Sequence, residues 1–110
     1  MAVSESAGHS IVAVAGELDV ATSPRLQDAM TRLIEEGQLR LVVDLREVTF
    51  LDSSALGVLV GARRRLLPEH GEVSVVCTDP RLLHLLRLTK LDEVFPIYDS
   101  VPAAVGATEP

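Results

Sequence analysis

A strand-like run over 42–51 breaks at Asp52-Ser53-Ser54, and apolar residues resume at once with helical spacing through Ala55, Leu59 and Ala62. The break presents a carboxylate and two hydroxyls at the start of a helix, where the first backbone N–H groups lack intrahelical acceptors and the dipole end is positive. A side chain placed there can cap the helix, hold an anion or carry a covalent phosphate. Successive helical residues point about 100° apart, so helix rotation decides which of Ser53 and Ser54 faces outward. Asp52 suits capping, and it equally suits orienting a neighbouring hydroxyl or a direct part in phosphotransfer.

The same rotation divides the helix into two faces. Ala55, Val58, Leu59, Ala62 and Leu66 form a stripe for a sheet, while Ser53, Gly57, Val60, Gly61 and Arg64 line the opposite side, flanked by Leu56 and Leu67. An outward face is ordinarily charged, whereas this one is small and apolar, a flat surface running away from the serine. Gly57 and Gly61 each cost about 1 kcal/mol relative to Ala inside a helix, which calls for a reason such as a closely approaching backbone. That backbone belongs either to a partner or to another element of the same domain, and the pattern leaves both open. Arg63, Arg64 and Arg65 read as a solvated edge, with Arg64 placed on the partner surface.

Other chemistries are poorly provided for. A nucleophilic Ser53 would need His70 or His84 as base and Asp52 or Asp79 to orient it. The glycine pattern of a nucleophile elbow is missing around Ser53, and a domain of this size leaves little room for a substrate pocket, so no enzyme is expected. His9, His70 and His84 are far apart and not in ligand spacing, so no metal is expected. Without a Gly-rich phosphate loop bearing Lys and Ser or Thr there is no nucleotide site, and no cofactor is expected. Cys77, the single cysteine, lies in the strand-like Val73–Cys77 stretch. It reads as a buried reduced thiol, and an internal disulfide is impossible.

The chain has 110 residues, 16 acidic and 10 basic, with a formal net charge of −6. That balance is a poor match for a nucleic-acid backbone or an anionic membrane surface, and favours a protein partner. No apolar run approaches the roughly 20 residues needed to span a bilayer, and the first ten residues lack the basic and apolar regions of a leader. Cytoplasmic residence is the expectation. Aromatics make up 3% of the chain and Trp is absent, so the core must be built from Val, Leu, Ile and Ala, as suits a small α/β domain.

These residues are positioned by alternating strands and helices. Ala2–Ser6 and Ser10–Ala15 read as an opening hairpin turning at Gly8-His9 and broken by Gly16. Ser23 as N-cap and Pro24 at the first helical position open a helix whose Leu26, Ala29, Met30, Leu33 and Ile34 recur up to Gly37. A strand over 39–45, apolar on both faces at Leu41-Val42-Val43, takes a central place. The second helix runs from Ser53 to before Pro68, a strand follows over 72–78, and Asp79-Pro80 opens a third helix. A short strand over 94–98 and a last helix capped by Ser100 complete the order. The fold class is α/β: one domain over 1–110 with its core at about 10–105, a mixed sheet of four to five strands, mostly parallel after the hairpin, and about four helices. The tail at 106–110 is expected to fray.

With its preceding strand, Phe50-Leu51-Asp52-Ser53-Ser54-Ala55-Leu56-Gly57 resembles the signature of bacterial anti-sigma factor antagonists, small stand-alone members of the STAS domain family. Gly16-Glu17-Leu18-Asp19 matches the family's tetrapeptide before the first helix, Val43-Asp44-Leu45 its central strand, and Leu91-Asp92-Glu93-Val94-Phe95 resembles its turn before the last strand. Two departures stand out: Ala55 where the family often has Gly, and Lys90 where Gly commonly closes the third helix.

The resemblance implies a phosphorylation switch. The unmodified antagonist binds an anti-sigma factor that is also a serine-protein kinase and so releases a sigma factor; a phosphatase resets it. Carried over by position, the phosphoacceptor is Ser53, with Ser54 as rival, and the partner surface comprises Asp19, Asp52, Ser53, Ser54, Leu56, Gly57, Val60, Gly61 and Arg64. The likeness also implies that the Asp19 loop lies beside the serine, and a monomer is expected. The alternative is an unphosphorylated STAS docking subunit of a transporter or larger signalling assembly, in which Ser53 is only part of a cap.

Overall fold

The computed structural model describes residues 1–106 and orders the elements as the alternation requires. β1 (Ala2–Ser6) and β2 (His9–Leu18) form an antiparallel hairpin, followed by α1 (Ser23–Glu35), β3 (Arg40–Leu51), α2 (Ser53–Leu66), β4 (Glu72–Val76), α3 (Pro80–Leu88), β5 (Ile97–Tyr98) and α4 (Val101–Gly106). Short 3-10 turns at Leu67–Glu69 and Leu91–Glu93 follow α2 and α3. The five strands lie in chain order, and β2 through β5 are parallel. The chain therefore steps across the sheet in one direction, and right-handed crossovers put α1, α2 and α3 on the same face.

That face holds the main core. Val12, Val14, Leu41, Val43, Leu45, Val73 and Val75 of the strands meet Leu26, Met30, Leu59, Leu66, Leu82 and Leu86 of the three helices, with Phe95 closing one end. Intervening strand residues point to the other face, where α4 brings Ala104 and Val105 onto Ile11, Val42 and Val76. Leu41, Val42 and Val43 are fully buried, as expected for a central strand covered on both sides. Asp44, also nearly buried, is held on that strand by a bidentate pair with Arg46, whose guanidinium lies 2.8 and 3.0 Å from its two oxygens. Cys77 is buried, and burial pushes its thiol up.

Several expected boundaries shift. The hairpin turns at Ala7-Gly8, both at positive φ (51° and 80°), so His9 already pairs with Ser6; a two-residue loop of this type needs positive φ at both central positions. Gly16 does not end β2. At φ +83° it sits beside a shift in register between Gly16 and Glu17, and the strand bends through this irregularity and continues to Leu18. β3 extends alongside it past the central stretch expected at 39–45 to Leu51, where the strand-like run over 42–51 ends. β4 stops at Val76, short of 78, and the last strand contracts from 94–98 to Ile97–Tyr98, because the N–H groups of Val94 and Phe95 turn back to the Leu91 carbonyl. Ser100 caps α4 as expected, its Oγ accepting from the Ala103 N–H at 3.1 Å. Residues 107–110, most of the tail expected to fray, lie outside the described residues.

Candidate functional site

The extensions of β2 and β3 place the site. Leu18 pairs with Leu51, and the Asp52 N–H donates to the Leu18 carbonyl at 3.3 Å, so the end of the Gly16–Asp19 segment and the start of α2 emerge side by side from the sheet. Asp52 then takes an extended conformation and caps α2: Oδ1 accepts from the N–H groups of Ser54 at 2.9 Å and Ala55 at 3.2 Å. The Ser54 hydroxyl also donates to Oδ1. That bond is the largest cause holding the Asp52 carboxyl below the usual carboxylate range; burial, next in size, opposes it, and the backbone of Ala55, Ser54 and Val20 adds further help.

The two serines consequently differ. Ser54 is half-buried, tied to Asp52, and its Oγ lies 3.4 Å from that of the buried Ser23 on α1. Ser53 is exposed, and among the described residues its hydroxyl makes no hydrogen bond. Asp52 thus both caps the helix and orients the neighbouring hydroxyl, that of Ser54.

Asp19 organises the adjacent loop. Its Oδ1 accepts from the N–H of Ala21 at 2.9 Å and of Thr22 at 3.1 Å, and the Thr22 hydroxyl donates to the Glu17 carbonyl at 2.8 Å. This corrects the expected start of α1. Thr22, not Ser23, is the N-cap residue and makes no side-chain cap bond; Ser23 is inside the helix and buried, with Pro24 second. The Asp19 carboxylate satisfies the N–H groups just ahead of α1 instead, which leaves Ser23 to face α2.

Along α2 the expected faces are rotated. Ala55, Leu59, Ala62 and Leu66 are buried as expected, but so is Leu56, whereas Val58 is only half-buried. α1 packs along the Val58 flank and α2 also meets β4, so the core-facing arc turns away from α1 and takes Leu56 with it. Leu56 is therefore core and not part of an outward surface. Val60 is half-buried against the core, and Ser53, Gly57, Gly61 and Arg64 are exposed.

Of the two alternatives left open for the glycines, close packing by another element of this domain does not occur among the described residues: a Cβ built on Gly57 or Gly61 meets nothing within 4 Å. α1 stops short of them and leaves a cleft of about 310 Å³, lined by Gln27, Met30, Thr31 and Ile34 of α1 and by Gly57, Val58, Gly61, Ala62 and Arg65 of α2. Arg65, not Arg64, is the arginine of that cleft.

A comparison with known families matches residues 1–104 to the STAS domain. The chain belongs to the STAS domain family. Among its relatives, an anti-sigma F factor antagonist of Paenibacillus polymyxa is 35% identical over 93% of this chain and 88% of that protein. An anti-sigma-B factor antagonist of Listeria monocytogenes is 36% identical over 81% of this chain and 78% of its own length. A crystal structure of an anti-sigma factor antagonist from Mycobacterium paratuberculosis superposes with a TM-score of 0.88 at 35% identity, covering 96% of this chain and 90% of that one.

In this STAS domain the sequence motifs converge at one end of the sheet, with Asp52, Ser54, Ser23 and the Asp19 loop in one connected neighbourhood. Residues absent from the expected site also gather there or beside it. Val20, 74% exposed, and Phe50, 49% exposed, are apolar side chains in solvent at the ends of the two strands that flank Asp52. Gln27, Thr31 and Ile34 of α1 form the far wall of the cleft. Their signal is present in the sequence as a second stripe at i, i+4 and i+7, beside the core stripe of Leu26, Met30 and Leu33. Among the described residues no helix is long and apolar enough to cross a membrane.

Proposed function

We propose that this protein is an anti-sigma factor antagonist whose unmodified form binds an anti-sigma factor, itself a serine-protein kinase, and so releases a sigma factor. Phosphorylation of Ser53 ends that binding, and a phosphatase restores it. The observation that carries this reading is the contrast between the two hydroxyls at the α2 N-terminus: Ser54 is engaged by Asp52, while Ser53 is exposed and unbonded among the described residues. The names of the relatives and the exposed apolar Val20 and Phe50 nearby support a protein-binding surface at this end of the sheet.

Phosphorylation adds about −1.5 to −2 charges and three acceptor oxygens to Ser53. The helix N-terminus favours an anion by about 0.3–1 kcal/mol, which offsets part of the repulsion from Asp52, so the fold survives and the switch acts between molecules. A dianion pressed into an interface loses hydration at a cost of several kcal/mol unless the partner supplies cations.

The test incubates the purified protein with ATP and each anti-sigma factor of its source organism, follows intact mass and peptide maps, and measures binding of both forms. The expected result is one phosphate, absent from Ser53→Ala, with the variant still binding and the phosphorylated protein binding far more weakly. Equal affinity of the two forms overturns the switch and favours a constitutive docking subunit.

A further inference from the structure

Ser23 is a buried polar side chain that the fold does not require. It stands in the first turn of α1, where a serine ordinarily caps the helix or faces solvent. Here the cap residue is Thr22, Asp19 takes the N–H groups ahead of the helix, and Ser23 is 4% exposed. Alanine would be the better helix former and would bring no hydroxyl that burial obliges to pair. Among the described residues that hydroxyl has one hydrogen-bond partner, the Oγ of Ser54 across the seam between α1 and α2, to which it donates at 3.4 Å.

The Ser54 hydroxyl donates in turn to Oδ1 of Asp52. A serine whose proton rests on a carboxylate has the arrangement of an activated nucleophile. By its proton alone, Ser54 is therefore better prepared to attack phosphorus than Ser53, whose hydroxyl has no such partner among the described residues. What separates Ser54 from that role lies on the other side of its oxygen, where Ser23 donates to it and the residue is half-buried.

We infer that Ser23 is a positioning residue that selects the phosphoacceptor: its hydroxyl engages the Ser54 oxygen from the α1 side, keeps it in the seam and so confines phosphorylation to Ser53. Transfer to either serine makes a bond from its Oγ to the γ-phosphorus of ATP and breaks the bond from that phosphorus to the β–γ bridging oxygen; ADP leaves, and the hydroxyl proton passes to a base. For Ser53 that base comes from the kinase. For Ser54 it would be Asp52, already in place. Attack by Ser54 needs its oxygen turned out to the nucleotide, and the Ser23 O–H holds it inward and takes one of its two lone pairs. Because the proposal specifies which hydroxyl the switch uses, it rests on the proposed function.

The experiment uses the full chain, ATP and the anti-sigma factor that phosphorylates it, with peptide fragmentation assigning each phosphate. Ser23→Val and Ser23→Thr form a matched pair of nearly equal shape in which only Thr keeps the donor. Ser23→Val should raise the share of phosphate on Ser54 roughly tenfold, the scale of one lost hydrogen bond, whereas Ser23→Thr should leave it at the parent level. Combined with Ser53→Ala, which by itself takes up no phosphate, Ser23→Val should restore phosphorylation, now on Ser54. Ser23→Ala repeats the test without added bulk in the seam. A merely structural Ser23 would lower the denaturation midpoint in these variants and leave the position of the phosphate unchanged. Equal shares on Ser54 in Ser23→Val and Ser23→Thr, or folded Ser23→Val and Ser23→Ala that are phosphorylated on Ser53 alone, overturn the selection and leave the switch standing. If no anti-sigma factor of the source organism phosphorylates Ser53 of the parent, both fall.

Discussion

Two helices of this domain begin in the same way and are used differently. α2 and α3 each start from an extended Asp that lies beyond the end of a strand, and each Asp accepts a hydrogen bond from the N–H two residues on, Asp52 from Ser54 and Asp79 from Arg81. At α3 the next position is Pro80, and the Arg81 guanidinium closes onto Asp79 at 2.9 and 3.3 Å. The capping charge is neutralised within the domain. At α2 the corresponding positions are Ser53 and Ser54, no cation pairs with Asp52 among the described residues, and one hydroxyl stays in solvent. Capping a helix after a strand therefore requires neither serine at the first position nor an unneutralised carboxylate, and both at α2 call for a function beyond the fold.

The largest effect should separate the two ends by modification. A phosphate on Ser53 should weaken anti-sigma factor binding by roughly a hundredfold or more, the equivalent of about 3 kcal/mol. Isothermal titration with the modified and unmodified chains measures it. Pro80→Ser supplies the control. It puts a serine after a capping Asp at α3 with Arg81 still in place, and the kinase should leave it unmodified. Phosphate on that serine at a rate equal to Ser53 would mean that an Asp-Ser helix start alone is recognised.

The caps themselves should respond differently to acid and salt. Both carboxyls sit below the usual carboxylate range, Asp52 first through the Ser54 hydroxyl and Asp79 first through the Arg81 side chain. A lowered folded value means that each contribution is fully present above the unfolded value near pH 4 and is lost as pH falls through the folded one. Asp52→Asn should lower the melting temperature at pH 7 more than Asp79→Asn, because Asp52 serves two N–H groups and a hydroxyl while Asp79 serves one N–H and an exposed ion pair. Raising salt should shrink the Asp79 effect more, since its partner is a charge and not a neutral donor. Thermal melts of both variants across pH and ionic strength check the order.

The far end of α3 offers a smaller effect. Lys90, where the family commonly has Gly, lies at φ +60°, a left-handed conformation that favours glycine at a helix terminus. Lys90→Gly should stabilise the domain by about 0.5–1 kcal/mol, visible as a shift of the denaturation midpoint with unchanged slope. A destabilised variant would mean that the Lys90 side chain supports the turn into 91–93.

The start of α3 was legible in the sequence to the residue, because Asp79-Pro80 fixes it, whereas the run Leu82, Leu83, Leu85 and Leu86 does not say by itself that Leu82 and Leu86 are the buried pair. α2 was legible in extent and in its cap, but its rotation was not: Leu56 and Val58 are equally apolar, and only the position of α1 decides which one enters the core. The end of β2 was obscured by Gly16, which breaks a strand by composition yet here accompanies a shift in register. The pairing of the Asp19 loop with α2 came from resemblance, since residues more than thirty positions apart carry no local signal of contact. The cleft went unread because half of its lining lies on α1, whose second stripe has meaning only once α2 is beside it.

The smallest predicted effect is the most direct test of the comparison. If Ser53 contributes nothing to the fold, the residue that α3 uses in the same position should replace it without loss. Asp52 is extended, with φ −118° and ψ −177°, a conformation that a following proline tolerates. Proline at the first helical position forfeits no intrahelical hydrogen bond and brings a φ already suited to the helix. Ser53→Pro should therefore change unfolding free energy by less than about 0.5 kcal/mol while removing the phosphoacceptor altogether. Chemical denaturation measures the first and intact mass after incubation with kinase and ATP the second. A loss of several kcal/mol would show that Ser53 supports the helix start; a folded variant that still gains a phosphate would move the acceptor to Ser54, whose hydroxyl Asp52 already holds.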